Sequence, residues 1–487
     1  MISLTHLAPV VTFAHAFGKR YELPIPLNLF VLGGASIVFL SFLLILPTKV
    51  APQKKSELKA QDHTHLRPVS YTWAAISFVI LASLAACGLL GSQEVPENIL
   101  PTLFWLVLWI AVPLSCGVLG DWTQPLNSFA NIAGLTNSTK LRRIILAGEQ
   151  PLAWPSWLGW WPAAVLFFVI ACGELIYNQT ATKPAVTATA LLIYFFISGF
   201  AGLIFGDMWL KRGEVFSVLF STWGRLGFFR FGAEGKRGFA GGLVSPFEAS
   251  PSRVAFTLLL LVSVSFDGLL STPLWNRFEH QLPASFIVGS LKYQLLATAI
   301  FMGLALVIWL LFMGFAAAVR QVGGHSGSQT TALAGLLPSL LPISFGYLLA
   351  HNIEYLVVNG QLLFPLIGNP TGLDSWPLHL PYPFTDEFEP HIHLLPSAFY
   401  WYFSVAVIIA VHVLAVVLAH RHLGSVTKLK LQARRSEYPW IAAMVLYTML
   451  SLWLLAQPLI KEKTAAYAPP RVQLTTVALK SSTSKRL

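Results

Sequence analysis

The chain has 487 residues, 55% of them hydrophobic and 11% charged, against roughly 45–50% and about 25% in soluble domains. That imbalance excludes an ordinary soluble fold. A net charge of +11 would suit nucleic acid in a soluble protein, but here Lys and Arg serve to anchor loops against anionic headgroups, so the expected partner is a lipid bilayer and not nucleic acid.

Residues 1–26 read as an outer N-terminal tail. No basic n-region precedes their short apolar stretch, which makes an unprocessed tail the expectation, although small residues flank His15 as they would a signal cleavage site. Apolar blocks then follow at 27–46, 71–90, 101–120, 159–177, 184–205, 254–271, 294–318, 333–357, 397–419 and 439–458. Each has about the length that carries a helix across a ~30 Å hydrocarbon core. The runs are continuous and rich in Leu, Phe and Ala, whereas a closed barrel needs short alternating segments. The fold class is therefore all-α: a polytopic membrane bundle of about ten transmembrane helices, one domain over 27–459. A basic tail, 460–487, is expected to be disordered.

The connecting segments carry the orientation. One set of alternate loops holds 21 of the 32 Lys and Arg residues, so the basic loop 206–253 is expected in the cytoplasm and both termini outside. Within it, Val215, Phe216, Val218, Leu219, Phe220, Trp223, Leu226, Phe228 and Phe229 interleave with Arg225 and Arg230, the pattern of an in-plane amphipathic helix. The acidic, proline-rich loop 367–396 belongs to the opposite side. Cys87, Cys116 and Cys172 each fall in a predicted span without CxxC spacing, which points to packing and not to a disulfide or zinc site.

Ionisable side chains inside a membrane are costly, so each is a functional candidate. They are Glu174, Asp267, His351, Glu354 and His412. His351 and Glu354 are three residues apart on one helical face, a spacing that can feed a metal. His391 and His393 lie in the outer loop with His379, Asp386, Glu387 and Glu389, and His15 lies in the outer tail. Imidazoles and carboxylates together suit Zn, Cu or Fe. The expected metal ligands are His351, Glu354, His391, His393 and His15, with Glu354 as catalytic base if the metal activates water. Were the chain cut after Ala14, the free amino group and ring of His15 could chelate copper as a histidine brace does. His412 and His420 share a face two turns apart. By helix rise, His351 lies ~27 Å and His412 only ~10 Å from the inner ends of their spans, which separates an outer from an inner group. Asp267, His412 and His420 are instead candidates for an intramembrane polar path. No Walker motif and no CxxCH haem signature is present.

Several segments together resemble a known family: His15-Ala16-Phe17-Gly18-Lys19-Arg20-Tyr21-Glu22-Leu23-Pro24, Ser265-Phe266-Asp267-Gly268, Ala350-His351, Gly360-Gln361, Trp401-Tyr402, His412-Val413 and Leu418-Ala419-His420. They are similar to bacterial multi-pass membrane proteins of which some are named fenitrothion hydrolase. The resemblance runs from about residue 15 to the end of the ninth predicted span. It implies a bacterial inner-membrane protein and metal-assisted attack of water on an organophosphate triester. A metal-ion or small-molecule transporter, or a structural membrane subunit, is the alternative. A transporter requires a polar path, and a catalytic site requires a pocket open to one side.

Overall fold

A computed structural model describes residues 27–45, 68–231, 238–325, 327–426 and 430–459. The described residues are 75% helical with no strand, and nine of their helices are long and apolar enough to cross a membrane. In chain order the bundle comprises α1 (Leu27–Ile45), α2 (Tyr71–Leu90), α3 (Ile99–Leu119), the short α4 (Ser128–Thr136), α5 (Trp161–Leu175), α6 (Pro184–Phe205), the short pair α7 (Asp207–Arg212) and α8 (Val215–Gly224), then α9 (Pro251–Leu270), α10 (Leu291–Gly323), α11 (Gln329–Asn359), α12 (Ser397–Val426) and α13 (Lys430–Leu459). The protein is a multi-pass membrane protein.

Of the ten expected spans, 159–177 is the one that falls short. Its helix α5 has 15 residues, about 22 Å of rise. It runs beside α9, from the Trp160 amide donating to Ser252 Oγ at 2.9 Å, past Phe167 edge-on to Phe256, to the level of Asp267. The last four helices instead outgrow their apolar blocks. Ser290 and Ser328 cap α10 and α11 by accepting from Tyr293 N and Thr331 N, and the backbone winds on through polar residues such as Arg320, His420 and Arg434. Hydropathy measures the oily part of a helix and not where its hydrogen bonds stop.

Burial places α11 at the centre: 83% of its apolar window is inside the protein, against 22% for α2 and α10. It packs on α12 above all, and on α9 and α10. Ser404 donates to the Ala350 carbonyl at 2.9 Å and Gly346 abuts Val411, so α11 and α12 are antiparallel and in register over that length.

The amphipathic segment expected on the membrane surface is buried instead. Val215, Phe216, Val218, Leu219, Phe220 and Trp223 are all buried, because α8 carries no charged side chain and its arginines come after it ends. From the end of α6 the chain doubles back through α7 and turns at Glu214 beside Tyr194, the midpoint of α6. It then returns along α3 until Gly224 meets Asp121. This is a re-entrant hairpin. A second short helix, α4, lies against the end of α6, where Gly202 approaches the Ala133 backbone so closely that a Cβ would clash. Arg225 and Arg253 then clamp the ring of Phe247 from 4.0 and 4.6 Å, and Arg225 Nε donates to the Gly242 carbonyl at 3.0 Å. The loop that follows α8 is thereby tied to the start of α9. We call this end, with the loops after α4, α8 and α10, the basic end, and the one with loop 367–396 the acidic end.

Candidate functional site

Three of the interior ionisable groups, Glu174, Asp267 and His351, gather toward the acidic end of the bundle. Asp267 sits near the acidic end of α9 and His351 on α11, the two helices in contact. His351 Nε2 lies 2.8 Å from Asp267 Oδ2, with the side chains 2% and 12% exposed. Two turns of α11 surround the pair with Tyr347, whose ring centroid is 6.3 Å from that of His351, and Asn352, which donates to the Leu348 carbonyl.

Next to this pair is a second, part-buried contact. Trp109 on α3 donates from Nε1 to Glu174 Oε2 of α5 at 2.5 Å. The stretch Thr102–Ala111 of α3 is wound as a π-helix, a form that recurs at functional sites, and it turns Trp109 inward. Glu174, Asp267, Asn352, Ser263 and Trp109 line one cavity of about 40 Å³, where one water needs ~10–15 Å³. Two carboxylates and an amide thus face a space of water size deep in an apolar bundle.

Toward the basic end the interior stays intermittently polar. Ser265 and Tyr447 share a hydrogen bond of 2.5 Å, Trp440 Nε1 donates to Ser339 Oγ at 3.2 Å, and His412, 1% exposed, directs Nδ1 to the Ile408 carbonyl at 2.7 Å. A carbonyl only accepts, so that nitrogen carries the proton and Nε2 is the basic one. Among the described residues Tyr347 Oη, Ser344 Oγ and His412 Nε2 have no hydrogen-bond partner. Last, His420 Nδ1 lies 3.1 Å from both oxygens of Glu437 on α13. His325, in the turn after α10, stands against Gly323, where burial holds its imidazole below the ordinary value.

The expected residues therefore distribute as follows. Asp267 and His351 meet. Glu354, one turn beyond, is half-buried and His391 and His393 are exposed in the acidic loop, which Gln361 fastens by exchanging two hydrogen bonds with the His391 backbone. His15 lies outside the described residues. Among the described residues no three His, Cys, Asp or Glu side chains are grouped as a metal ion would need. His412 is closer to His351 than span ends suggest: through the Gly346–Val411 contact it is offset from His351 by about six residues of α11, ~9 Å. The roles of Trp109, Asn352 and Glu437 are not apparent from the sequence alone. Glu437 lies before the apolar block of its helix, and only the full length of α13 places it opposite His420.

No family model, curated protein or solved structure matches the chain. The resemblance to the fenitrothion hydrolase-named family thus rests on the segments quoted above.

Proposed function

We propose that this membrane protein moves protons across the bilayer, with Asp267 and His351 as the central exchange pair. The observation that carries the reading is the buried 2.8 Å contact between those two groups beside a water-sized cavity that Glu174 and Asn352 also line. Intramembrane acids and histidines pair with one another where they relay protons, and imidazole is the side chain whose charge changes most readily near neutral pH. The polar side chains that continue through Tyr447, His412 and the His420–Glu437 pair give such a relay a direction toward the basic end. The cavity has room for about three waters, which suits a proton carried on water.

Purified protein in liposomes with an internal pH dye tests this. With an imposed pH gradient and potassium plus valinomycin to clamp the potential, wild-type liposomes are expected to lose the gradient faster than protein-free ones. Asp267→Asn and His351→Gln are expected to restore the slow rate. Wild-type liposomes that hold the gradient as long as protein-free liposomes overturn the proposal. The same preparations assayed on an organophosphate triester read the hydrolytic alternative separately, since that chemistry would depend on Glu354 and not on flux.

A further inference from the structure

A second, larger cavity lies on the other side of the π-helical segment of α3, between α2, α3, α4 and α8. Its volume is about 320 Å³ and its walls are almost wholly apolar, including Leu81, Leu103, Phe104, Val107, Phe216 and Phe220. Four residues with polar side chains touch it, and each is engaged elsewhere. Trp122 Nε1 donates to Ser115 Oγ, Thr123 Oγ1 to Asp121, Asn127 Nδ2 to Glu214 and Ser128 Oγ to the Ser77 carbonyl. Nothing in the wall is left to bind a polar headgroup.

The lining runs along α3 from Leu100 to Val112, less than the ~18 Å that an α-helix would span because the π-helical stretch climbs less per residue, so the cavity is elongated along the helix axes. Ile80 and Leu126 on its rim are 47% and 40% exposed on the face that lipid would cover. Its size lies at the lower end of the ~300–1,000 Å³ of ligand pockets, enough room for an alkyl chain. A quinone would bring a headgroup with no partner in that wall.

We infer that this crevice is a binding site for one acyl chain of a bilayer phospholipid, held lengthwise against the π-helical wall of α3. The same segment turns Trp109 to Glu174 on its opposite face, so an occupant fixes the wall that the two cavities share.

The test uses the full chain in vesicles of phosphatidylethanolamine and phosphatidylglycerol doped with a phosphatidylethanolamine whose acyl chain carries a diazirine. After illumination, peptide mapping is expected to place label on Leu103, Phe104, Val107 and Leu108 severalfold above Ile193, an exposed α6 residue outside the cavity. Val107→Trp fills the crevice from α3 and Leu84→Phe from α2, and either variant that keeps wild-type thermal unfolding is expected to lose that label. Even labelling of all lipid-facing helices overturns the site. So does label unchanged in a folded, filled variant. A diazirine prenyl-quinone that displaces the phospholipid label overturns the choice of occupant.

Discussion

His351 on α11 meets Asp267 on α9 through Nε2 and Oδ2 at 2.8 Å, joining two helices that are 84 positions apart in the chain at this contact. Glu354, the neighbour that helical spacing selects for His351, lies one turn away and half-buried. Spacing shows which residues share a face. It does not reveal which helix that face meets.

Breaking the Asp267–His351 pair on one side leaves a polar group stranded in the interior. His351→Ala is expected to destabilise the protein by about 3–5 kcal/mol, the usual penalty for orphaning one member of a buried pair. His351→Leu combined with Asp267→Leu should recover much of that loss, because both polar groups leave together. Thermal unfolding in a fixed detergent measures both. A double variant less stable than the single one would show that the pair is held by more than mutual need.

At the basic end His420 bridges both oxygens of Glu437, and the side chains are 7% and 2% exposed. Glu437→Gln retains the volume but puts an amide donor where an acceptor stood. Proton flux in the liposome assay is expected to fall with this substitution as it does with Asp267→Asn, if both pairs serve one route. Arg421→Gln, next in sequence to His420 and solvent-exposed, is the control and is expected to leave flux unchanged.

The neutral form of His325 is favoured in the folded protein, because burial lowers its affinity for a proton below the ordinary 6.5. The unfolded chain then binds more protons than the folded one as pH falls through this range. Its contribution to stability is complete above about 6.5 and declines as pH drops below it. The unfolding midpoint is expected to decrease between about pH 7.5 and pH 5.5, and His325→Gln is expected to reduce that slope. An unchanged slope would assign the effect to His422, the nearby histidine on α12.

The bundle itself was legible in the sequence, since length and apolarity alone mark a helix that must satisfy its backbone inside lipid. Glu174, Asp267, His351, Glu354 and His412 stood out because charge or imidazole in such a run is rare. Three things were not legible. Residues 215–224 carry no charge, only Ser217, Ser221 and Thr222 among their apolar side chains, and only the turn at Gly213-Glu214 distinguishes a re-entrant helix from a surface one. Trp109 reads as one of many tryptophans until the π-helical winding turns its N–H to Glu174. Glu437 lies in a polar stretch that hydropathy assigns to a loop.

Side assignment is tested by two exposed positions. Phe239 follows the re-entrant hairpin and Leu378 lies in the acidic loop, 53% and 52% exposed. Cysteine at each, in a background lacking the three native cysteines, is expected to react with a membrane-impermeant maleimide from opposite sides of right-side-out vesicles. Leu378→Cys should label without permeabilisation, as the charge bias of the loops requires. Labelling of both from the same side would contradict the multi-pass order on which the relay direction depends.

Glu214 gives the sharpest test of the re-entrant hairpin. It is fully buried, and its carboxylate receives four hydrogen bonds: Oε1 from Phe216 N and Tyr194 Oη, Oε2 from Ser217 N and Asn127 Nδ2. Two helix starts are thereby joined, since Glu214 caps α8 and Asn127 caps α4 through Phe129 N and Ala130 N. All four groups donate, so the site needs an acceptor at both oxygens, and an amide supplies only one. Glu214→Gln is expected to destabilise nearly as much as Glu214→Ala, by on the order of 3 kcal/mol, combining a lost cap with buried donors left unpaired. Tyr194→Phe removes one donor to Glu214 and leaves three, but it also takes away the oxygen that accepts from Val215 N at 3.0 Å, and is expected to cost about 2 kcal/mol, less than loss of the carboxylate. A Glu214→Gln protein with wild-type unfolding would mean that the hairpin does not depend on a carboxylate at its turn.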